Sequence, residues 1–225
     1  MIQFHYSLAP NPMKVALLLE ELGLPYEAHP VDTRKGQQFD PAFARLNPNN
    51  KVPVIVDDGT VVFDSNAILL YLSDKTGRFG LADRGALLSW LMFIASGVGP
   101  YAGQYVHFSR FAPEPKEYAV TRYRFEAKRH FGILDAHLAG REWMGGDAYS
   151  ILDMALWGWA RMVPFVFAND GEWTDLPNVK RVFDSIEARP AAARAAALKD
   201  RHAFKTEFDD EARRHMFRHT LQPAG

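Results

Sequence analysis

The sequence predicts a mixed α/β unit followed by an all-helical unit, and three observations support this. Up to residue 78, short β-branched runs alternate with apolar stripes at helical spacing, in the order βαβαββα. Beyond Gly77 the strand pattern stops and only helical spacing continues. Residues 79–85 form a short, glycine-containing segment between these two parts, as in a linker. We therefore expect domains at 1–78 and 86–225, joined by a linker at 79–85.

The chain begins with a predicted strand, loop and helix. Ile2 to Tyr6 alternates apolar and polar residues, which is typical of a strand, and the proline-rich loop 7–12 interrupts it. Pro12 fits the first turn of a helix, where its missing N–H does no harm. An apolar stripe then runs to Gly23 through Val15, Leu18, Leu19 and Leu22.

A second strand and a short helix follow. Tyr26 to Val31 has the composition of a strand, residues 34–39 form a polar loop, and Pro41 to Leu46 suits a short helix. With a later antiparallel pair, these elements predict a small mixed sheet with helices on its faces.

That antiparallel pair is a hairpin. Val54 to Val56 and Val61 to Phe63 are β-branched runs joined by Asp58-Gly59, a pair that tight hairpin turns prefer. Pro53 opens the first run, where no ladder donor is required, and is a candidate for a cis bond. Val52 would then offer a free backbone edge to an extended ligand.

The second hairpin strand leads directly into a helix. Asp64 or Ser65 stands at the N-cap position, before the apolar segment 67–72. An anion could bind there, because the first N–H groups of a helix are free and its N-terminus is positive.

The second half is predicted to be helical throughout. Helical spacing occurs in five segments, at 87–94, 118–138, 151–163, 179–188 and 191–198. Ser150 and Asp153 fit a capping box, and we assign them a structural role.

Residues 97–102 resemble the glycine-rich motif of dinucleotide-binding sites. Because they follow a helical run rather than a strand, we expect a bend or a close helix approach there.

Composition excludes several function classes. The 26 basic and 27 acidic side chains leave a net charge of -1, which gives no field that would hold nucleic acid or an anionic membrane. We find no 18-residue apolar run and no signal-peptide pattern, and expect a cytoplasmic protein without a membrane segment. Zero cysteines exclude a zinc-thiolate site or a protein thiol nucleophile. We expect no metal, and any reactive sulfur must arrive with a ligand.

The order of domains and several motifs resemble the cytosolic glutathione transferases, in which a thioredoxin-like domain precedes a helical bundle. Within that superfamily the chain is most similar to the bacterial nu-class proteins, which are glutathione-dependent disulfide-bond reductases. The motifs that carry this resemblance are NPMK at 11–14, KGQQF at 35–39, NPNNKVP at 47–53, GPYAGQ at 99–104 and WMGG at 143–146. The class usually has threonine where this chain has Ala9, so one presumed hydroxyl donor to the glutathione sulfur is absent.

The resemblance implies glutathione as co-substrate and a homodimer. Its γ-glutamyl carboxylate would bind the N–H and hydroxyl of Ser65, its ammonium would meet Asp64, and its cysteinyl backbone would pair with Val52 beside cis-Pro53. Further contacts would come from Gln38 and Lys51, and from Arg129 of the neighbouring subunit.

Asn11, in the loop before the first helix, is the expected donor to the glutathione thiolate. The alternative is that Asn11 is only a turn residue between two prolines.

The reaction that the resemblance implies is reduction of small disulfides. A second hypothesis is conjugation of glutathione to electrophiles, with Ser7 as the thiolate donor. Tyr6 could serve similarly or point into the core. A third is a non-catalytic regulatory or interaction protein on the same fold. The sequence leaves open whether His107 lines the substrate cleft.

Overall fold

The computed structural model describes residues 1–114, 116–168 and 171–218. One four-stranded sheet has the order β2-β1-β3-β4, with β1 parallel to β2 and antiparallel to β3, and β3 antiparallel to β4. The strands are β1 (Ile2–Tyr6), β2 (Tyr26–Pro30), β3 (Val54–Asp57) and β4 (Thr60–Phe63). The predicted mixed sheet is confirmed.

The hairpin turn has the geometry that its sequence predicts. Asp58 and Gly59 have φ values of 47° and 85°, and two positive φ values in a two-residue loop are those of a type I′ turn. The turn pairs Asp57 with Thr60 and, three residues further along, Val54 with Phe63. This register aligns the two strand ends at which the neighbouring loops begin.

Three helices cover the sheet: α1 (Pro10–Leu22), α2 (Pro41–Leu46) and α3 (Ser65–Thr76). The segment predicted as a polar loop forms two 3₁₀ turns, Thr33–Lys35 and Gln37–Phe39. Helix α1 is buried along most of its length, because its apolar side chains share a core with those of β1 and it also packs against α7 and α10 of the second half.

The second half is helical, as predicted. Its α-helices are α4 (Arg84–Phe93), α5 (Gly99–Val106), α6 (Glu117–Leu138), α7 (Ile151–Ala160), α8 (Val163–Val166), α9 (Pro177–Glu187), α10 (Pro190–Ala196), α11 (Leu198–Arg201) and α12 (Asp210–Met216). The five predicted segments correspond to α4, α6, α7, α9 and α10. The domain boundaries at 78 and 86 stay predictions.

Helices α4 and α5 belong to one continuous helix, 84–111, which contains π-helical turns at Ile94–Val98 and His107–Phe111. A Cβ on Gly97 would lie 2.4 Å from the His130 ring, and one on Gly99 would lie 3.0 Å from the Trp159 indole nitrogen. The predicted close helix approach is therefore found at both glycines.

The same helix corrects a composition argument. By length and composition, the helix 84–111 is apolar enough to cross a membrane, so the expectation that no segment is apolar enough was wrong. A core helix passes the same test, and this one buries the stripe Leu87, Leu91, Ile94, Val98 and Ala102 completely. The absence of a membrane segment stays a prediction.

The two halves of the chain meet where α1 packs against α7 and α10. A Cβ on Gly158 of α7 would lie 2.7 Å from the Pro10 carbonyl oxygen and 3.1 Å from Lys14 Cβ. Only glycine permits this approach, so α7 crosses α1 at its first turn. That crossing brings side chains of the helical half to the start of α1.

The capping box that begins α7 is present as predicted. Asp153 Oδ2 accepts hydrogen bonds from the Ser150 N–H at 2.9 Å and the Ser150 hydroxyl at 3.1 Å, and Oδ1 accepts from the Met144 N–H at 2.7 Å. Burial raises the pKa of Asp153 to about 6. All of its contacts lie within the helical half, which supports the structural assignment.

Candidate functional site

The strand register gathers several predicted site residues at one edge of the sheet. His5 pairs with Val54, and Val54 pairs with Phe63, so three neighbouring strands are level at these positions. The adjoining residues, Tyr6, Pro53 and Asp64, therefore emerge side by side. The Val52–Pro53 peptide bond is cis, as the sequence suggested.

Asp64, the first residue after β4, is the N-cap of α3. Its Oδ1 accepts hydrogen bonds from the N–H groups of Asn66 at 2.9 Å and Ala67 at 3.2 Å, while the residue remains exposed. Its φ of 69° is in the left-handed region, which is uncommon for a residue other than glycine and often marks functional sites. An exposed, backbone-anchored carboxylate is suited to meeting an ammonium group.

Ser65 follows as the first residue of α3 and is 5% exposed. Because the Asp64 side chain takes the next two N–H groups, the Ser65 N–H is left for another partner. Within the described parts of the chain, the Ser65 hydroxyl has no hydrogen-bond partner. This N–H and hydroxyl at a helix N-terminus can together bind a carboxylate.

Lys14 lies beneath this helix start, and sequence reasoning missed it. It is 1% exposed, and its Nζ donates a hydrogen bond to Asn66 Oδ1 at 2.5 Å. Asn66 Nδ2 donates in turn to the Leu91 carbonyl oxygen at 2.9 Å. Burial lowers the pKa of Lys14 to about 7, against the opposing effect of the Asp64 charge. A buried amine thus connects α1, α3 and α4 directly below the predicted carboxylate site.

Asn11 lies in the first turn of α1, one turn before Lys14, and is half-buried. Its Oδ1 accepts a hydrogen bond at 3.1 Å from Nε1 of Trp159, which comes from α7. The amide oxygen is therefore engaged, and the NH₂ group faces away from the indole. An amide NH₂ at a positive helix end can donate to an anionic sulfur. No local sequence pattern predicts this contact, because its two partners are 148 residues apart.

The other two hydroxyls of this region differ in availability. The Tyr6 hydroxyl is buried, donates to the Leu198 carbonyl oxygen at 3.2 Å and lies 2.9 Å from His202 Nδ1. Tyr6 therefore points into the core. Ser7 is 7% exposed, and its Oγ accepts a hydrogen bond from the Ala9 N–H at 3.4 Å, which leaves its own O–H able to donate.

The loop before the cis peptide bond is held by Asn47, another residue that sequence reasoning missed. Asn47 is buried, its Nδ2 donates to the Lys51 carbonyl oxygen at 2.7 Å, and its Oδ1 accepts from the Asn49 N–H at 2.9 Å. The Lys51 side chain is exposed and Val52 is half-buried. This leaves the Lys51 charge accessible beside the backbone of Val52.

Gln38 is covered by the C-terminal segment, residues 202–218. It is 5% exposed, its Nε2 donates to the carbonyl oxygens of Thr33 at 3.3 Å and His215 at 3.4 Å, and its Oε1 is buried without a partner among the described residues. Arg34 and Asp32 hydrogen-bond the backbone of Lys205 in the same segment. The sequence did not predict that residues 202–218 return to this loop.

Arg129 lies on α6, where its Nε donates to Glu126 Oε2 at 2.9 Å. The main packing partners of α6 are α5 and α9 rather than the strands that carry the other site residues. His107 is half-buried, and its ring lies 4.6 Å from that of Phe217. Across residues 1–114, 116–168 and 171–218, no group of three or more His, Cys, Asp or Glu side chains is arranged to hold a metal.

Comparison with known proteins identifies the family. Residues 9–75 match the N-terminal domain of glutathione S-transferases, and residues 98–190 match their C-terminal domain. The disulfide-bond oxidoreductase YfcG of Escherichia coli is 40% identical over 212 residues, which cover 87% of this chain and 94% of that protein. The disulfide-bond oxidoreductase YghU of the same organism is 38% identical, over 84% of this chain and 72% of that protein.

Solved structures agree. A glutathione transferase from Burkholderia graminis, crystallised with two glutathione molecules per subunit, superposes with a TM-score of 0.82 at 40% identity and 89% coverage of both chains. One from Pseudomonas putida, with one glutathione disulfide per subunit, has a TM-score of 0.79 at 39% identity, covering 86% of this chain and 90% of that one. With a thioredoxin-like domain followed by a helical domain, this chain belongs to the glutathione transferase family.

Proposed function

We propose that the protein reduces small disulfides with glutathione as the reductant. The observation that carries this proposal is the Asn11 amide, oriented at the start of α1 beside the predicted glutathione edge in a chain without cysteine. The names of the two Escherichia coli relatives and the glutathione disulfide bound in the Pseudomonas putida structure support the same chemistry.

Glutathione binds, in this proposal, along the edge formed by three chain segments. Its γ-glutamyl carboxylate takes the N–H and hydroxyl of Ser65, its ammonium takes Asp64, and its cysteinyl backbone pairs with Val52 beside Pro53. Three charge-assisted contacts at ~1.5–3 kcal/mol each are enough for micromolar to millimolar binding after the cost of association. Lys51 remains a candidate for the glycyl carboxylate, and Gln38 requires movement of the C-terminal segment to reach it.

Asn11 supplies the activation of sulfur. A thiol with a pKa near ~8.5 is only ~3% ionised at pH 7, and lowering that pKa to ~6.5 takes ~2.7 kcal/mol of preferential stabilisation of the anion. One or two hydrogen bonds to a charged acceptor provide energy on this scale. The Asn11 NH₂ group and the N-terminus of α1 are the donors that meet this requirement.

The reaction consists of two thiol–disulfide exchanges. The glutathione thiolate attacks one sulfur of the substrate disulfide, so that a mixed disulfide forms and one substrate thiolate leaves and takes a proton. A second glutathione thiolate attacks the glutathione sulfur of the mixed disulfide, which yields glutathione disulfide and the second substrate thiol. Two glutathione molecules lose two electrons, the substrate gains them, and no protein atom changes oxidation state.

Two assays run side by side test the proposal: reduction of hydroxyethyl disulfide, and conjugation of an aromatic halide. We expect turnover of the disulfide to far exceed conjugation, and Asn11→Ala to lower disulfide reduction by about tenfold or more, on the scale of ~1.4 kcal/mol per decade. Efficient conjugation with negligible reduction, or an unchanged rate in Asn11→Ala, would contradict it.

Conjugation of glutathione to electrophiles is the second candidate, since the Ser7 hydroxyl retains a free proton to donate. In that case Ser7→Ala, rather than Asn11→Ala, lowers the rate. A non-catalytic regulatory or interaction protein is the third candidate. It requires no glutathione site, so a calorimetric titration that detects no binding of glutathione would favour it.

We further propose a cytoplasmic homodimer. Exposed apolar side chains on α4 and α6, Leu88 at 37%, Met92 at 47% and Phe125 at 61%, supply a seam of the kind that dimers bury. In this arrangement Arg129 reaches glutathione in the neighbouring subunit, in exchange for its contact with Glu126. A monomer mass by sedimentation at micromolar concentration would contradict both the homodimer and the role of Arg129 in the neighbouring subunit.

A further inference from the structure

We propose that Trp159 is a positioning residue for the thiol–disulfide chemistry, which holds the Asn11 amide in the one orientation that presents its NH₂ group to the glutathione sulfur. The inference rests on the proposed function, since it assigns a role to Trp159 only through Asn11. It goes further in making the helical half of the chain part of the thiolate site.

The chemistry of the contact determines the orientation. An indole N–H can only donate, and an amide has one oxygen that accepts and one NH₂ group that donates. The 3.1 Å contact between Nε1 of Trp159 and Asn11 therefore requires the amide oxygen at that point. A flipped amide would oppose two donors and lose the bond. The NH₂ group is thus directed away from the indole.

Two glycines hold the indole in place. A Cβ on Gly99 would lie 3.0 Å from Trp159 Nε1 and 3.1 Å from its Cε2. A Cβ on Gly158 would lie 2.7 Å from the carbonyl oxygen of Pro10, the residue before Asn11. The helix 84–111 therefore supports one side of the indole, while the crossing of α7 over α1 sets its distance from Asn11.

A purely structural role for Trp159 is the competing explanation, and Trp157 provides the matched control. Trp157 is on the same helix, is 1% exposed, and donates an indole hydrogen bond to Glu187 Oε1 at 2.7 Å. Its bond points to α9 rather than α1. If packing or the stability of α7 were the only effect, Trp157→Phe would harm the enzyme at least as much as Trp159→Phe.

The experiment compares Trp159→Phe, Trp157→Phe, Asn11→Ala and the double variant Trp159→Phe/Asn11→Ala. For each, the pKa of bound glutathione is measured from thiolate absorbance against pH, together with the pH profile of kcat/KM for hydroxyethyl disulfide and the Kd for glutathione. We expect Trp159→Phe to raise the thiol pKa by about one unit and to lower the rate at pH 6.5 about fivefold, because the thiolate fraction at that pH falls from ~50% to ~9% when the pKa rises from ~6.5 to ~7.5. The Kd should change less than threefold.

The remaining outcomes are distinct. Trp157→Phe should leave the thiol pKa unchanged, and Trp159→Phe should add nothing in the Asn11→Ala background. An unchanged pH profile in Trp159→Phe, an equal shift in Trp157→Phe, or additive effects in the double variant would overturn the proposal. If Asn11→Ala changes neither the thiol pKa nor the rate, the proposed function fails as well. If Asn11→Ala changes both strongly while Trp159→Phe changes neither, only the role of Trp159 is refuted. Should Trp159→Phe not fold, Gly99→Ala displaces the same indole and must raise the same pKa.

Discussion

Trp159 and Asn11 are 148 residues apart in the chain, and a hydrogen bond of 3.1 Å joins them. It links α7 of the helical half to the first turn of α1. Because Gly158 allows these two helices to touch, the geometry of the candidate thiolate site depends on interdomain packing. Changes at the crossing should therefore affect activity as well as stability.

Gly158→Ala tests this dependence. The added methyl would lie 2.7 Å from a backbone oxygen, which cannot move aside as a flexible side chain can, so α7 must shift away from α1. We expect a loss of about 1–3 kcal/mol in the free energy of unfolding. Disulfide reduction should also fall severalfold in the protein that remains folded.

Gly132→Ala is the control, since a Cβ at this position in α6 meets nothing within 4 Å. Because alanine has a better helix propensity than glycine, Gly132→Ala should raise the free energy of unfolding by about 0.5–1 kcal/mol without a change in activity. Urea unfolding and steady-state rates measured on both variants check the prediction. Equal stabilities for the two variants would show that the close contact at Gly158 is relaxed in solution.

Asp64 caps α3 and, in the proposed function, meets the glutathione ammonium, and two substitutions can separate these roles. Asparagine is as good an N-cap as aspartate but lacks its charge, while alanine loses both. We expect Asp64→Ala to cost about 0.5–2 kcal/mol of stability and Asp64→Asn to cost little. Both should weaken glutathione binding, which calorimetry measures. If Asp64→Asn bound glutathione as tightly as the parent, the carboxylate would not be meeting the ligand ammonium.

The dimer seam can be tested with a single charge. Met92→Glu places a carboxylate among the exposed apolar side chains of α4 and α6, where an interface would bury it without a partner. We expect the sedimentation mass to fall from dimer to monomer at micromolar concentration. Phe165→Glu, at an apolar residue that is 39% exposed on α8, is the control and should leave the dimer intact.

Local chemistry explains which features could be predicted from sequence. The Asp58-Gly59 turn, the Asp64 cap and the Ser150–Asp153 box each involve residues within a few positions of one another, and all three are present in the structure. Pro53 was similarly recognisable from its place at the start of a strand. Such signals depend on the backbone alone, so they do not require knowledge of the packing.

The contacts that sequence reasoning missed join distant segments. Lys14 looks like a surface residue of an amphipathic helix, and only the packing of α3 and α7 on α1 buries it. Gln38 becomes inaccessible because the segment 202–218 covers it, a path that no local pattern indicates. Assigning residues by motif alone therefore predicts candidate site residues and misses the contacts that position them.

The burial of Lys14 should make the stability of the protein depend on pH. Burial lowers its pKa from 10.5 to about 7 in the folded state, so between these values the unfolded chain binds more protons. Stability should therefore rise with pH across this window, and the cost of burying the charge should be fully present below pH 7. Asp64 is the charge that opposes the shift. Asp153 does not interfere, because its pKa is raised from 3.8 to about 6 and its contribution to stability changes with pH only between these values, staying constant above them.

The measurement is urea unfolding of the parent and Lys14→Met at pH 6.5, 7.5, 8.5 and 9.0. Subtracting the two free energies of unfolding removes every other titrating group, provided unfolding is two-state. We expect the stability of the parent relative to Lys14→Met to increase above pH 7, by up to ~1.4 kcal/mol per pH unit. Lys180→Met, at a half-buried lysine that pairs with Asp184, supplies the baseline for loss of a lysine. A difference between the parent and Lys14→Met that stays constant from pH 6.5 to 9.0 would mean that Lys14 keeps its proton throughout, with the hydrogen bond to Asn66 sufficient to hold a buried charge.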